Sequence, residues 1–399
     1  MEKDSVFLSD KVIVFCVLFA AFASLFSLSA NSVALYLAIP CAFLLSFKKY
    51  GLLRVSKTFK IITMLYFWVF VSYFWAINKS VALSELKVCL GAIMLCYIFS
   101  VNAKRTKLLP WLYLSYIVLY LSAWYYASTH ILVDMTSIGA EGERLNDQSL
   151  NANTMAYYTF YATMAAFLLS DMVQSINYRK LFKILFLAMI PISFFVAIVT
   201  ASRQVLIIQI PLICFLIYER YFKESSSRTR MLFLLCAVVA TVAILPMALD
   251  IYDNSYLAIR SQKELKEDSR WYLMWDAIEV GFNYFPFGVG AGNYIDYSIN
   301  KHFSHCSYAE LFANNGIVGL FLYCYLLYYF IKQQWIRFRS TLDRKFIVFL
   351  VFGVIFAFDQ LFYVFYIDLW LIAFFILVAT HSDAYYNSLV LNQLEYDNK

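Results

Sequence analysis

Arg144, Arg203 and Arg270 each lie at the edge of an apolar run, in three different connecting segments of the chain. A guanidinium presents a planar fork of donors that grips phosphate oxygens two at a time, so three of them entering one site fit a shared anionic ligand. Taken singly, each arginine reads equally well as an interfacial anchor for a helix end. His305, in Ser-His-Cys-Ser-Tyr-Ala-Glu, falls in a fourth such segment, where an imidazole can take a proton near neutral pH. A lone histidine is more often structural, and its company with the arginines is what raises the chemical reading; His302 and His130 are weaker candidates. Asn151 and Asn153 open an apolar run behind Arg144, where unpaired backbone donors and the helix dipole attract phosphate, or where the asparagines simply cap the helix. Ser202 precedes Arg203 in a tight turn, Thr-Ala-Ser-Arg, with no base nearby to activate it as a nucleophile. Gly290 and Gly292 belong to Gly-Val-Gly-Ala-Gly, which lacks the strand-to-helix setting of a nucleotide loop. It suits close backbone approach to a sugar or phosphate, or a plain turn, the more economical of the two. Asp359 either orients His305 or only connects two helices, the latter being the simpler role.

The elements that must position these groups are transmembrane helices. Of 399 residues, 62% are hydrophobic and only 15% charged, which no water-soluble domain could bury. Apolar runs occur near 12–29, 32–47, 61–77, 86–100, 108–127, 153–170, 182–199, 204–218, 231–248, 308–331, 346–358 and 361–380; the second and eighth are short, and about 20 residues cross about 30 Å of hydrocarbon. The fold expected is an all-α polytopic membrane protein of about 12 transmembrane helices. The organisation expected is helices 1–9 over 1–248, a large periplasmic loop over 249–307 between helices 9 and 10, and helices 10–12 with a cytoplasmic tail over 308–399. The run after Lys11 has no clean cleavage site and is expected to stay as a first helix.

Lys and Arg concentrate in alternate connections: 48–60, 104–107, 179–183, 220–230 and 332–345, with Lys3, Lys11 and Lys399 at the termini. Nine of the 32 basic residues fall on the opposite side, Arg144, Arg203 and Arg270 among them. The excess marks the cytoplasmic face, which places both termini inside and the candidate site outside. The net charge of +6 is thus topological, and no basic stripe for nucleic acid is present. Seven of eight cysteines lie inside apolar runs without metal-ligand spacing; Cys306 alone sits at a span boundary. Within the large loop, Trp271, Met274, Trp275, Ile278 and Phe282 repeat at helical spacing, so 268–282 reads as an amphipathic interfacial helix ended by Pro286 and Gly288.

Four segments in order resemble the O-antigen polymerase and O-antigen ligase superfamily of bacterial envelope enzymes: Thr-Ala-Ser-Arg at 200–203, Ser-Arg-Trp-Tyr-Leu-Met-Trp at 269–275, Phe-Pro-Phe-Gly-Val-Gly-Ala-Gly-Asn at 285–293, and His305 through Gly319. The likeness runs from about Arg144 onward; the first five spans match only as hydrophobic helices. One departure is Cys306, where the family often has Asn. The resemblance implies a glycosyltransferase of the large membrane class (GT-C-like), without metal or other cofactor, in the bacterial cytoplasmic (inner) membrane. Its implied substrate is an undecaprenyl-pyrophosphate-linked oligosaccharide. Membrane lipid, a chain-length regulator and a flippase are the implied partners. The expected roles are pyrophosphate binding by Arg203, Arg270 and Arg144, with Asn151, Asn153, Ser202, Gly290, Gly292 and Asp359 around the substrate, and proton acceptance by His305. The activity implied is polymerisation of a surface polysaccharide; ligation to lipid A core is the alternative.

A lipid-linked sugar flippase is the rival of another class. It should show ionisable residues along the spans and repeat symmetry. Asp368 reads as the main mid-span charge and no repeat is evident, which favours surface chemistry. The loops hold acids such as Asp250, Asp253 and Asp268 but no Asp-x-Asp pair to cage a divalent ion.

Overall fold

The computed structural model describes residues 7–26, 28–52, 54–130, 152–173, 175–200, 208–223, 225–228, 230–231, 269–299 and 301–397. Every regular element among them is helical and none is a strand. Four helical stretches are long and apolar enough to cross a membrane: Ala30–Tyr50, Lys79–Asn102, Ser307–Thr341 and Leu369–Leu394. In chain order the helices are α1 (Leu8–Phe26), α2 (Leu28–Val33), α3 (Ile39–Tyr50), α4 (Lys57–Ser72), α5 (Lys79–Asn102), α6 (Leu109–His130), α7 (Ala152–Met172), α8 (Ile176–Thr200), α9 (Ile210–Ile217), α10 (Ser269–Asn283), α11 (Tyr294–Tyr297), α12 (Ser307–Thr341), α13 (Lys345–Asp359) and α14 (Leu369–Asp397). They divide into one unit of Met1–Ala20, Ser32–Leu112 and Leu265–Lys399, and a second of Ala21–Asn31 and Tyr113–Glu264.

The first unit is built on α5 and α14, which pack along one another. The end of α5 from Leu95 to Asn102 and α14 from Trp370 to Ser382 are buried on every side, as helices hydrophobic all round must be. Around them α4 and α13 pack on α12. Each start is prepared locally: the Ser56 hydroxyl accepts from the Phe59 amide at 3.2 Å and the Asn78 side chain from Val81 at 3.3 Å, satisfying first-turn donors. Polar side chains tie the helices together, since lipid offers no hydrogen bonds: Ser56 N–H donates to Ser100 Oγ at 2.8 Å, and Asn102 to Ser46 at 3.0 Å. Phe67, Phe74, Phe321 and Tyr328 point outward and bare, as lipid-facing residues do. At one end the wholly buried Asp10 receives Lys49 at 2.6 Å and Arg105 at 2.7 Å, clamping α1 to α3 and to the turn before α6.

One expectation shifts here. The last apolar run does not begin a helix at 361: Gln360–Asp368 is a turn segment, and Asp368 is no mid-span charge. It caps α14, accepting from the Trp370 and Leu371 amides at 3.1 Å each. The amphipathic helix expected over 268–282 forms over 269–283, with Leu273, Ala277 and Val280 buried and Trp271, Trp275 and Phe282 exposed.

In the second unit α7 and α8 pair along their length, with Phe167 edge-on to Phe186 at 5.4 Å. Arg220 closes one end, bonding Asp171 at 2.7 Å and lying 4.0 Å over the Phe167 ring. Gln209 donates to Ser193 at 2.8 Å, within the helix that contains Pro191.

Candidate functional site

The site's frame is a break in a long helix. Inside α12, Gly316 takes φ +64°, ψ −162°, which interrupts the helix after Asn315 and orphans backbone groups that hydrocarbon could not satisfy. The glycine-rich segment supplies them: Val289 N–H donates to Ala313 O and Gly290 N–H to Asn314 O, both at 2.8 Å, while Ile317 N–H donates to Pro286 O at 3.0 Å. Trp68 Nε1 donates to Asn315 O at 2.8 Å. The freed asparagines then act as brackets. Asn314 Oδ1 accepts from the Tyr294 amide at 2.7 Å, and Asn315 donates to Ser72 at 2.9 Å. The Phe-Pro-Phe-Gly-Val-Gly-Ala-Gly motif and the Asn-Asn-Gly motif are therefore one interlocked unit.

That interlock explains why the glycines are glycines. A Cβ on Gly316 would lie 1.9 Å from Pro286 O, and one on Gly290 2.6 Å from the Ala76 backbone. Gly290 and Gly292 both have positive φ, and a Cβ on Gly292 would meet Glu85 Oε2 at 2.7 Å. The close approach seen at Gly290 is to the Ala76 backbone, and that at Gly292 is to the Glu85 and Val81 side chains.

His305 stands just before α12 with φ +57°, a conformation uncommon outside glycine and asparagine, worth reading as a functional constraint. The turn is pinned on both sides. Ser304 N–H donates to Glu310 Oε2 at 2.7 Å, and the Ser304 hydroxyl donates to Cys306 O at 3.0 Å and accepts from Cys306 N–H at 3.2 Å. Behind it Ser307 N–H donates to Gln360 O at 2.8 Å, and its hydroxyl is shared among Gln360, Tyr363 O and Phe365 N–H. Half-buried His305 has the Phe303 ring 4.2 Å away at a tilt.

Cys306 faces inward, into a cluster with Ala277, Val280, Val289, Ala309 and Ala313, against which Met274 and Ile278 pack. Burial pushes its thiol up. Through this cluster α10, which carries half-buried Arg270 in its first turn, is docked against the residue adjoining His305. Tyr294 locks the arrangement, its hydroxyl donating to Asp276 at 2.9 Å; burial first, and that carboxylate next among the raising causes, hold the phenol well above its usual range.

Asp359, the last residue of α13, is buried with Oδ1 lacking a hydrogen-bond partner, one residue before the Gln360 clasp. Asn153 is the second residue of α7. Arg144, Asn151, Ser202 and Arg203 lie outside the described residues, as do Asp250, Asp253 and Asp268.

Two groups escaped sequence reading. Glu85 looks like a loop charge ahead of the run at 86, but α5 starts at Lys79, which carries Glu85 into the helix and half-buries it beside the Tyr366 hydroxyl at 3.5 Å. The second is Glu310, whose bond from the Ser304 amide reaches back past Cys306, the N-cap of α12, rather than to the cap itself. Among the described residues no group of three or more His, Cys, Asp or Glu is arranged to hold a metal ion.

Comparison with curated proteins gives no match. The family model described as O-antigen ligase matches residues 184–324, a stretch that contains Arg203, α10, the glycine segment, His305 and the break in α12. Over that segment the chain is similar to the O-antigen ligase and polymerase superfamily, as its motifs suggested.

Proposed function

We propose that this chain is a glycan polymerase of the bacterial cytoplasmic membrane, working at the outer face. It moves a growing surface glycan from undecaprenyl pyrophosphate to a hydroxyl of the next lipid-linked repeat unit. The acceptor oxygen attacks the anomeric carbon and the carbon–oxygen bond to pyrophosphate breaks, with its electron pair leaving on the pyrophosphate. The acceptor proton passes to His305, and the anomeric centre inverts. Arg270 and Arg203, with Arg144, neutralise the charge that grows on the leaving group. Asn151, Asn153, Ser202 and Asp359 line the substrate path, and guanidinium groups do the work a divalent ion would do elsewhere.

The observation that carries this reading is the docking of the Arg270 helix, through Met274, Ala277 and Ile278, onto Cys306 beside a strained and doubly pinned His305. A histidine whose turn is pinned on both sides, on a segment packed against the helix that carries Arg270, fits a base held near a leaving-group binder. The ligase reading, transfer to lipid A core, is supported by the description of the matching family model.

Membranes holding this protein alone, given a purified lipid-linked repeat unit, should yield a ladder of longer glycans. Unchanged repeat units in that assay, with long chains accumulating on the carrier in a deletion strain, would turn the assignment to ligase. The outer placement has its own test. Cysteines placed at Glu141 and Lys263 should react with an impermeant thiol reagent in intact cells, and cysteines at Lys57 and Arg228 should resist it.

A further inference from the structure

The geometry points to a binding site for an anionic phospholipid where α4 meets the turn after α5, with Arg54, Lys57, Lys60 and Lys104 on its phosphate and Met64 and Phe67 along its acyl chain. The inference rests on the membrane setting of the first unit and not on the glycan chemistry proposed above. Three segments bring the cations together: Lys57 and Lys60 stand in the first turn of α4, Arg54 in the turn before it and Lys104 in the turn after α5, all four exposed. Lys104 Nζ donates to Arg54 O at 2.6 Å, which ties one turn to the other. Desolvation lowers the Lys104 pKa; Asp383 on α14 pulls the other way, and the Arg54 and Lys60 charges push it down again. That carboxylate is already engaged, since it accepts from Arg337 at 2.5 Å. Lys49 and Arg105, close by in sequence, are spent on Asp10.

Local chemistry works against this crowding. The first turn of a helix carries the positive end of its dipole, where carboxylates stabilise and cations do not, yet that of α4 holds two lysines and no acid. Charges so placed repel one another until an anion joins them, and basic pockets between membrane helices are where anionic headgroups bind. Aromatic rings seat two of the cations: Tyr329 on α12 lies 4.8 Å from Lys57 Nζ, and Tyr50 lies 5.9 Å from the Arg54 guanidinium.

A positive-inside bias explains basic residues in such connections, but not the stripe that continues from them. Lys57, Lys60, Met64 and Phe67 are spaced i, i+3, i+7, i+10, which at about 100° per residue keeps them within about 80° on one face. Met64 and Phe67 are 58% and 69% exposed, so the face passes from ammonium groups to bare apolar side chains within about 10 Å of helix. A free phosphate or a phosphorylated peptide would use the cations and leave the stripe bare, whereas a phospholipid uses both. The same helix holds the break in α12, since Trp68 donates to Asn315 O and Ser72 accepts from the Asn315 side chain. The lipid thus seats the helix on which that frame depends.

The test is native mass spectrometry of the full chain released from nanodiscs of phosphatidylcholine, phosphatidylglycerol and cardiolipin with matched acyl chains. Phosphatidylglycerol or cardiolipin should be retained over phosphatidylcholine. Lys57→Gln combined with Lys60→Gln should weaken that retention about tenfold, a change of about 1.4 kcal/mol, and the paired arginine variants should restore it. Lys11→Gln combined with Lys180→Gln removes the same charge elsewhere and should leave retention unchanged. Phe67→Ala keeps every charge at a lipid-facing position and should weaken retention about threefold. Inorganic phosphate should not displace the lipid. Equal retention of phosphatidylcholine, an equal loss from the Lys11 and Lys180 pair, unchanged retention by Phe67→Ala, or displacement by phosphate would each overturn the site; the last would make it a soluble-anion site and the second a diffuse attraction. No turnover is read, so these results bear on the lipid site alone, and the glycan ladder decides the proposed function.

Discussion

Asp10 on the one hand, and Glu85 and Glu310 on the other, are carboxylates of the first unit treated in opposite ways. Asp10 is answered by two cations, Lys49 and Arg105, and by the Phe7 amide at 2.9 Å. Glu85 and Glu310 are answered by a tyrosine hydroxyl and a serine amide, and among the described residues no ion pair reaches either. A carboxylate balanced by cations is finished business: its charge is spent on holding helices together. One met by neutral donors can hold a loop in place, and Glu310 holds the loop that presents His305. The comparison teaches that burial alone does not mark a functional carboxylate; the nature of its partners separates strut from site.

The largest effect should come from attacking the pinned end directly. His305→Ala should cut glycan elongation by about 10²-fold or more in membranes with normal protein levels, and donor binding should survive because the pyrophosphate contacts remain. Arg270→Lys keeps a charge but loses the fork, and should lose turnover comparably. Wild-type chain lengths from His305→Ala would return that residue to a structural role and dissolve the distinction between the two ends.

The strut should behave in the complementary way. Asp10→Ala leaves Lys49 and Arg105 facing one another without a counter-charge, and should destabilise the protein by about 3 kcal/mol in thermal unfolding in detergent. Activity per folded molecule should stay within about twofold of the parent. A loss of turnover larger than the loss of folded protein would mean that this end, too, serves chemistry.

Cys306→Asn asks what the family's usual residue would do here. The thiol fills an apolar cluster, so an amide in its place would be buried without partners and should cost about 1–3 kcal/mol of stability. An unchanged melting temperature would show that an asparagine finds a bond beside His305 in this chain as well.

The smallest effect sharpens the meaning of Glu310. Glu310→Gln retains an oxygen for the Ser304 amide, so elongation should fall by no more than about threefold, whereas Glu310→Ala removes the anchor and should cost about tenfold. If the glutamine variant fails as badly as the alanine, the carboxylate charge is needed and Glu310 is more than a peg.

What could be read from residues alone follows from local chemistry. The apolar runs near 12–29, 32–47, 61–77 and 308–331 become α1, α3, α4 and the body of α12 because hydrophobic length and helix starts are encoded within twenty residues. The helix over 269–283 was equally legible from its periodicity. Arg270 and His305 could be singled out because a lone arginine or histidine beside an apolar run is conspicuous in one dimension. Twelve spans, the sidedness of the loops and the roles of Arg144 and Arg203 stay expectations drawn from that same patterning.

Other features were decided only in three dimensions. Asn315-Gly316 is a local turn signal inside an apolar run, but the break is tolerable only when Val289, Gly290 and Pro286, some 25 to 30 residues away, arrive to satisfy the freed backbone. The left-handed turn at His305 depends on Glu310 and on Gln360, which is 55 residues distant. Which residues of α10 pack inward was decided the same way: Leu273, Ala277 and Val280 are buried, Ala277 and Val280 in one cluster with Cys306 and Ala309, while Trp271, Trp275 and Phe282 stay exposed. Hydrophobicity is a property of a residue and can be read along a chain. Fit and hydrogen-bond satisfaction are properties of pairs, and the partners here are brought together only by the fold.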